Sequence, residues 1–261
     1  MIPLSDRNPV LRTPVVTYLI LAALAAVWLF VQRGLDFGEA GFYALATSVC
    51  NLGLVPGEVT GLAPLGQAVP MAPGLACVID AESINTLTPV TSMFLHGSWG
   101  HILGNGLFLW VFGNNVEDVM GRMRFIVFYL ICGLAAAAAH VLVTPASPIP
   151  TVGASGAISG VLGAYLVLFP RVRVHMLFWF FIIIRIIPVP AWLVLAYWFI
   201  LQVVMGLPEL TAVERGVSGG VAVWAHVGGF VAGMLLVKLF ENRDLTRRRR
   251  ALVASTPVLS R

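Results

Sequence analysis

The sequence predicts an all-α polytopic membrane protein, a bundle of six transmembrane helices. Three observations lead there. The 261 residues are 59% hydrophobic and only 11% charged, with a mean hydropathy of +0.91, whereas a soluble domain carries about 25% charged residues. Six stretches are apolar and approach the roughly 20 residues a spanning helix needs. Once those six are drawn, the basic residues sort to one side. The composition excludes an ordinary cytosolic protein, a disordered chain and a nucleic-acid binder, despite a pI near 9.3. The net charge of +4 is read as membrane orientation.

Residues 1–13 read as a cytoplasmic N-terminal segment, 14–240 as the membrane domain and 241–261 as a basic cytoplasmic tail. The first span, about 14–32 (PVVTYLILAALAAVWLFVQ), is too long for a signal-peptide core and has no convincing cleavage site, so it is retained. The loop 33–98 is rich in Gly and Pro and shows no helical period. Cys50 and Cys77 both fall in it, either as a disulfide on an oxidising side or as two unpaired thiols. The second span covers about 99–116 and the third 124–143, where Cys132 reads as packing. The fourth covers 154–169, the fifth 190–206 and the sixth 221–240. The second and fourth are rich in Gly, as suits interior helices packed closely by neighbours.

The stretch 174–190 (VHMLFWFFIIIRIIPVP) is apolar, but only about 14 residues precede Pro188, and Arg185 interrupts them; so short a stretch is placed at the cytoplasmic interface. With six spans and the N-terminus inside, 14 of the 16 basic residues are cytoplasmic, leaving Arg33 and Arg215 outside. The expected setting is a bacterial inner membrane with both termini cytoplasmic.

Strongly polar groups inside a span are expensive and therefore candidates for function. The second span opens HGSWGHILGNGLF with His96, His101 and Asn105, the fourth opens GASGAISG with Ser155 and Ser159, and the sixth carries His226 in WAHVGGF. All lie toward the outer ends of their helices. His140, near the outer end of the third span, reads as a cap or packing residue. Ser155 and His226 supply a nucleophile and a general base. Asn105 and His101, four apart on one helix face, are donors of the kind that build an oxyanion hole, with backbone N–H groups near Ser155. No Asp or Glu lies mid-span and no H-E-x-x-H occurs, so neither a metal nor a cofactor is expected. Gly156 and Gly160 on the fourth span, and Gly229 and Gly233 on the sixth, form small-xxx-small surfaces that would bring Ser155 near His226.

These residues resemble the rhomboid intramembrane serine proteases. The matching elements are H-x4-H-x3-N at His96, His101 and Asn105, G-x-S-G from Gly153 to Gly156, and A-H-x2-G-x3-G from Ala225 through His226 and Gly229 to Gly233. The resemblance covers about 90–240. It implies a six-helix rhomboid-like core, a Ser155–His226 catalytic dyad, and an oxyanion hole of His101, Asn105 and the Ser155 N–H. It implies transmembrane protein substrates, met in the lipid bilayer and cleaved in or next to their transmembrane segments. Glu117 fits the acidic position after the second span. Two positions depart from the pattern: Leu87-Thr88 stands where many relatives carry Trp-Arg, and Ser159 where many carry an aromatic stacked on the base. Orientation of His226 is therefore expected from elsewhere, with Trp224 or the glycine contacts as candidates. A non-catalytic relative that binds membrane clients would typically lack the serine or histidine, and both are present. A small transporter would show an inverted repeat or broken-helix pair, and neither is visible.

Overall fold

The computed structural model describes residues 2–72, 74–180, 183–211 and 222–255. Arg215, Arg261 and most of the stretch between the fifth and sixth expected spans lie outside the described residues. The chain opens with strand β1 (Ile2–Asp6), then helix α1 (Val15–Ala26), whose last turns, Val27–Val31, widen to π geometry. Next come α2 (Glu39–Leu52), α3 (Pro56–Thr60), the hairpin β2 (Ala68–Ala72) and β3 (Leu75–Val78), and the short turn α4 (Thr88–Thr91). Helix α5 (Trp99–Phe108) passes through a π turn at Leu109–Gly113 into α6 (Asn114–Met120). The remaining elements are α7 (Arg122–Val143), α8 (Ser155–Leu168), the hairpin β4 (Arg173–Phe180) and β5 (Ile183–Pro190), α9 (Ala191–Thr211), α10 (Val223–Phe240) and α11 (Arg243–Ser255).

The molecule is mostly helical. Three helices are each long and apolar enough to cross a bilayer: Arg122–Val143, Ala191–Pro208 and Val223–Phe240; Val15–Val31 and Ser155–Leu168 are shorter and apolar. Helices α7, α8 and α10 form the packed centre, and Phe125, Phe128, Cys132, Val161, Tyr165 and Phe230 on them are buried in the core. Cys132 is a packing residue, as expected.

Two expectations need correction. The chain is not all-α. Residues 173–190 form an antiparallel hairpin, and β1 pairs with its first strand, giving a three-stranded sheet in the order β1-β4-β5. The run is dense in Ile, Val, Phe and Trp, which suit a pleated surface better than a helix cut short by Pro188. Val174 and Met176 are buried while Trp179, Ile184 and Ile186 are exposed. The loop 33–98 is also more regular than its Gly and Pro content implies. Helix α2 buries Gly41, Ala46, Ser48 and Val49, and Cys50 at its end is disulfide-bonded to Cys77 in β3.

Both ends of the described chain meet at one end of the bundle. The Glu117 carboxylate accepts the N–H groups of Val16 and Thr17 at 3.0 and 2.8 Å and the Thr17 hydroxyl at 2.8 Å, so it caps the start of α1. Next to it, buried Asp118 pairs with Arg12 and with Arg249 of α11, and Arg249 also donates to Asn8 and Asn115. Asp6 accepts from the Tyr165 hydroxyl and from Asn115. Burial pushes the Asp6 carboxyl up to about 6, against the lowering effect of the Tyr165 hydrogen bond. The tail is thus anchored, and one arginine of its basic run is 5% exposed.

Candidate functional site

Ser155 is the first residue of α8, behind Ala154 at the N-cap position. That helix has 14 residues, about 21 Å of rise against a hydrocarbon core of about 30 Å. Gly156 faces Ala136 of α7, and α7 runs on to Val143, about 10 Å further at the helical rise. Ser155 therefore sits below the rim of its neighbour, and the segment 144–154 descends to it.

That segment is held by the disulfide-stapled loop. Leu54 and Thr151 exchange backbone hydrogen bonds of 2.9 and 2.8 Å, the Gly57 N–H donates to Ser147 O at 2.9 Å, and the Gly153 N–H donates to Ser92 O at 2.8 Å. Gly153 has φ +131, and a Cβ there would lie 2.7 Å from the His101 ring. Both the backbone conformation and the imidazole therefore require glycine at this position.

Across from Ser155 stands His226 in the first turn of α10. Its Nε2 lies 2.8 Å from Ser155 Oγ. The glycine seam makes this approach possible, in a different arrangement from the two-helix surface expected. A Cβ on Gly229 would lie 2.1 Å from Gly156 O, and one on Gly233 1.9 Å from Gly160 O, so these two glycines admit the backbone of α8. Gly156 and Gly160 direct their missing side chains at α7, toward Ala136 and Cys132, at 2.6 and 2.4 Å from an ideal Cβ. The seam joins three helices.

A cavity of about 1030 Å³ opens over the pair, lined by His101, Asn105, His140, Ser155, Trp198 and His226 among others. Asn105 is 8% exposed, and its Nδ2 has no hydrogen-bond partner among the described residues. An unpaired amide donor in the wall of a cavity is poised for an incoming acceptor. His101 lies against Gly153, its N–H capped by Ser98 Oγ at 3.2 Å and its ring 5.1 Å from that of His96. His96 is fully buried, its backbone bonded to Gln32 at 2.8 Å in both directions. His140 bonds Thr151 Oγ1 at 3.0 Å, a packing role as expected, and also borders the cavity. The first-turn N–H groups of α8 have no intrahelical partners and carry the positive end of the helix dipole. Among the described residues no three His, Cys, Asp or Glu side chains converge as a metal site.

The sequence reading missed two neighbours of His226. Gln202 Oε1 lies 2.8 Å from His226 Nδ1, and the Trp198 ring lies 5.8 Å from the imidazole at 38°. Both come from α9. Trp224, the aromatic expected near the base, lies with its indole against Gly206. Ser159 does not reach the base, because its hydroxyl donates to Ser155 O at 2.6 Å. Gln202 had a sequence signal: it is the lone side-chain amide in an apolar span, and intramembrane polar groups merit suspicion.

Comparison with known proteins bears on the family of the chain. The model of the rhomboid domain matches residues 85–243. The chain is 42% identical over 89 residues to rhomboid protease GluP of Bacillus subtilis, covering 34% of this chain and 16% of that protein. It is 27% identical over 176 residues to mitochondrial rhomboid protein 1 of Saccharomyces cerevisiae, covering 64% and 45%. It is 39% identical over 71 residues to chloroplastic rhomboid-like protein 11 of Arabidopsis thaliana, covering 27% and 25%. The matched stretches span less than half the length of each of these relatives. The chain belongs to the rhomboid family and is an integral membrane protein.

Proposed function

We propose that this chain is an intramembrane serine endopeptidase acting on peptide bonds in or beside transmembrane segments of membrane proteins. The observation that carries the reading is the 2.8 Å contact of Ser155 Oγ with His226 Nε2 inside a cavity open to one end of the bundle. Ser155 Oγ attacks the scissile carbonyl carbon while His226 Nε2 takes its proton. The negative oxygen so formed meets Asn105 Nδ2, His101 and the Ser155 N–H. The C–N bond then breaks as His226 returns the proton to the leaving amine, leaving an ester on Ser155. Water, deprotonated by His226, attacks that ester and releases a carboxylic acid and free Ser155. No cofactor or metal enters these steps. A substrate helix must unwind locally first, because its carbonyls are hydrogen-bonded and shielded, so weakly helical segments are preferred.

A labelled fluorophosphonate tests this reading, since it reacts with an activated serine. The purified protein should be labelled and Ser155→Ala should not. A wild-type protein that stays unlabelled while folded would make the chain a non-catalytic relative that binds membrane clients.

The proposed topology is six crossings of a bacterial inner membrane with both termini cytoplasmic. Its support is the convergence of β1, the β4–β5 hairpin and α11 at one end of the bundle, with Arg7, Arg12, Arg173, Arg185 and the α11 arginines there. Ser155 and the disulfide loop lie toward the other end. A reporter fused after residue 250 should read cytoplasmic and one inserted near residue 65 external; an external readout at 250 would overturn the orientation.

A further inference from the structure

We infer that Gln202 is a positioning residue for the base, so that the hydrogen-bonded unit is Ser155–His226–Gln202, with Trp198 one helical turn away closing the imidazole face. The inference rests on the proteolytic reading above.

For His226 to accept the serine proton at Nε2, its Nδ1 must carry the hydrogen. A buried histidine needs an acceptor at Nδ1 to hold that tautomer and ring angle, which is the orienting group's task in a serine-histidine-carboxylate triad. Among the described residues, Gln202 Oε1 contacts His226 Nδ1 at 2.8 Å. Its amide must present oxygen to the ring, because Nδ1–H is a donor. A glutamine does this without placing a charge in the membrane, where a carboxylate would be costly.

Trp198 and Gln202 are four apart on α9, and therefore on one face. Both reach His226, Trp198 by its ring and Gln202 by its amide. The helix that frames the side of the cavity thereby also sets the base. This accounts for the family position at Ser159 lacking an aromatic: the ring contact comes from Trp198 on a different helix. Ser159 is free to turn its hydroxyl back on Ser155 O.

Three side chains of equal length separate orientation from packing. Gln202→Met keeps the bulk and removes the acceptor. Gln202→Glu keeps an acceptor and removes the amide donors. In detergent-purified full-length protein with a transmembrane peptide substrate, Gln202→Met is expected to lose on the order of 10- to 100-fold in kcat, with KM within about twofold and melting unchanged. Gln202→Glu should retain kcat within about fivefold of wild type. Wild-type turnover in Gln202→Met would overturn the inference, as would equal losses in the two variants, since the loss would then not follow the acceptor at Nδ1. Wild type and Ser155→Ala run alongside. If wild type itself neither cleaves nor takes up a fluorophosphonate, the proteolytic reading fails, a result distinct from failure of the Gln202 role.

Discussion

Ser155→Ala and His226→Ala are each expected to lower substrate cleavage by on the order of 10⁴- to 10⁶-fold, and the double variant to be no worse than either single one. The non-additivity is the sharper part. The two side chains share one hydrogen bond of 2.8 Å, and a serine without a base, or a base without a serine, forms no acyl-enzyme. Once one is gone, removing the other costs nothing further. Neither change strands a charge, so both variants should melt near the wild-type temperature. The measurement is single-turnover cleavage of a transmembrane substrate by all four proteins. A double variant clearly slower than both singles would mean that Ser155 and His226 act separately, and residual cleavage near wild type in Ser155→Ala would end the serine mechanism.

The sequence carried this site further than it carried the surroundings. Ser155, His226, Asn105 and His101 were identifiable because a polar group in an apolar helix stands out one residue at a time. The helix limits were legible because apolar runs end where polar or helix-breaking residues begin, and the expected 124–143 and 154–169 correspond to Arg122–Val143 and Ser155–Leu168. What escaped depends on pairing between distant segments. The hairpin at 173–190 draws support from β1, more than 160 residues earlier, where Ser5 faces His175. An apolar run next to a membrane gives no period by which to predict that partner.

Arg249 shows the same limit in a charged stretch. Four consecutive arginines read as part of a basic cytoplasmic tail. The phase of α11 on the bundle selects one of them for the buried Asp118 pair, and that phase is a tertiary fact. Helix α2 was obscured because the loop's glycines and prolines cluster after residue 52, and the whole interval was given their character. Gln202 is different. The rule that exposed Ser155 applies equally to an amide in the fifth span, so its signal was present in the residues and went unused.

Gly229→Ala is expected to be severe, although a methyl group is the smallest addition and alanine the better helix former by about 1 kcal/mol. A small-xxx-small surface admits alanine where the facing helix leaves room for a methyl group. The structure removes that tolerance: the new Cβ would stand 2.1 Å from Gly156 O and 3.0 Å from Gly156 C. These are backbone atoms inside α8, which cannot rotate aside, so the whole helix must retreat by on the order of 1 Å. Overpacking of this kind costs about 1–3 kcal/mol. Gly156 follows Ser155, and Gly229 lies one turn from His226, so the retreat directly widens the 2.8 Å contact. A displacement of about 1 Å can cost on the order of 10²-fold in rate. Gly106→Ala is the control, since its Cβ would meet only Leu21 at 3.7 Å, an ordinary contact. Turnover and melting in detergent should fall together in Gly229→Ala and stay at or above wild type in Gly106→Ala. Wild-type behaviour in Gly229→Ala would show that α8 and α10 are not held at this distance by the seam, and the glycines would then have no part in setting the Ser155–His226 geometry.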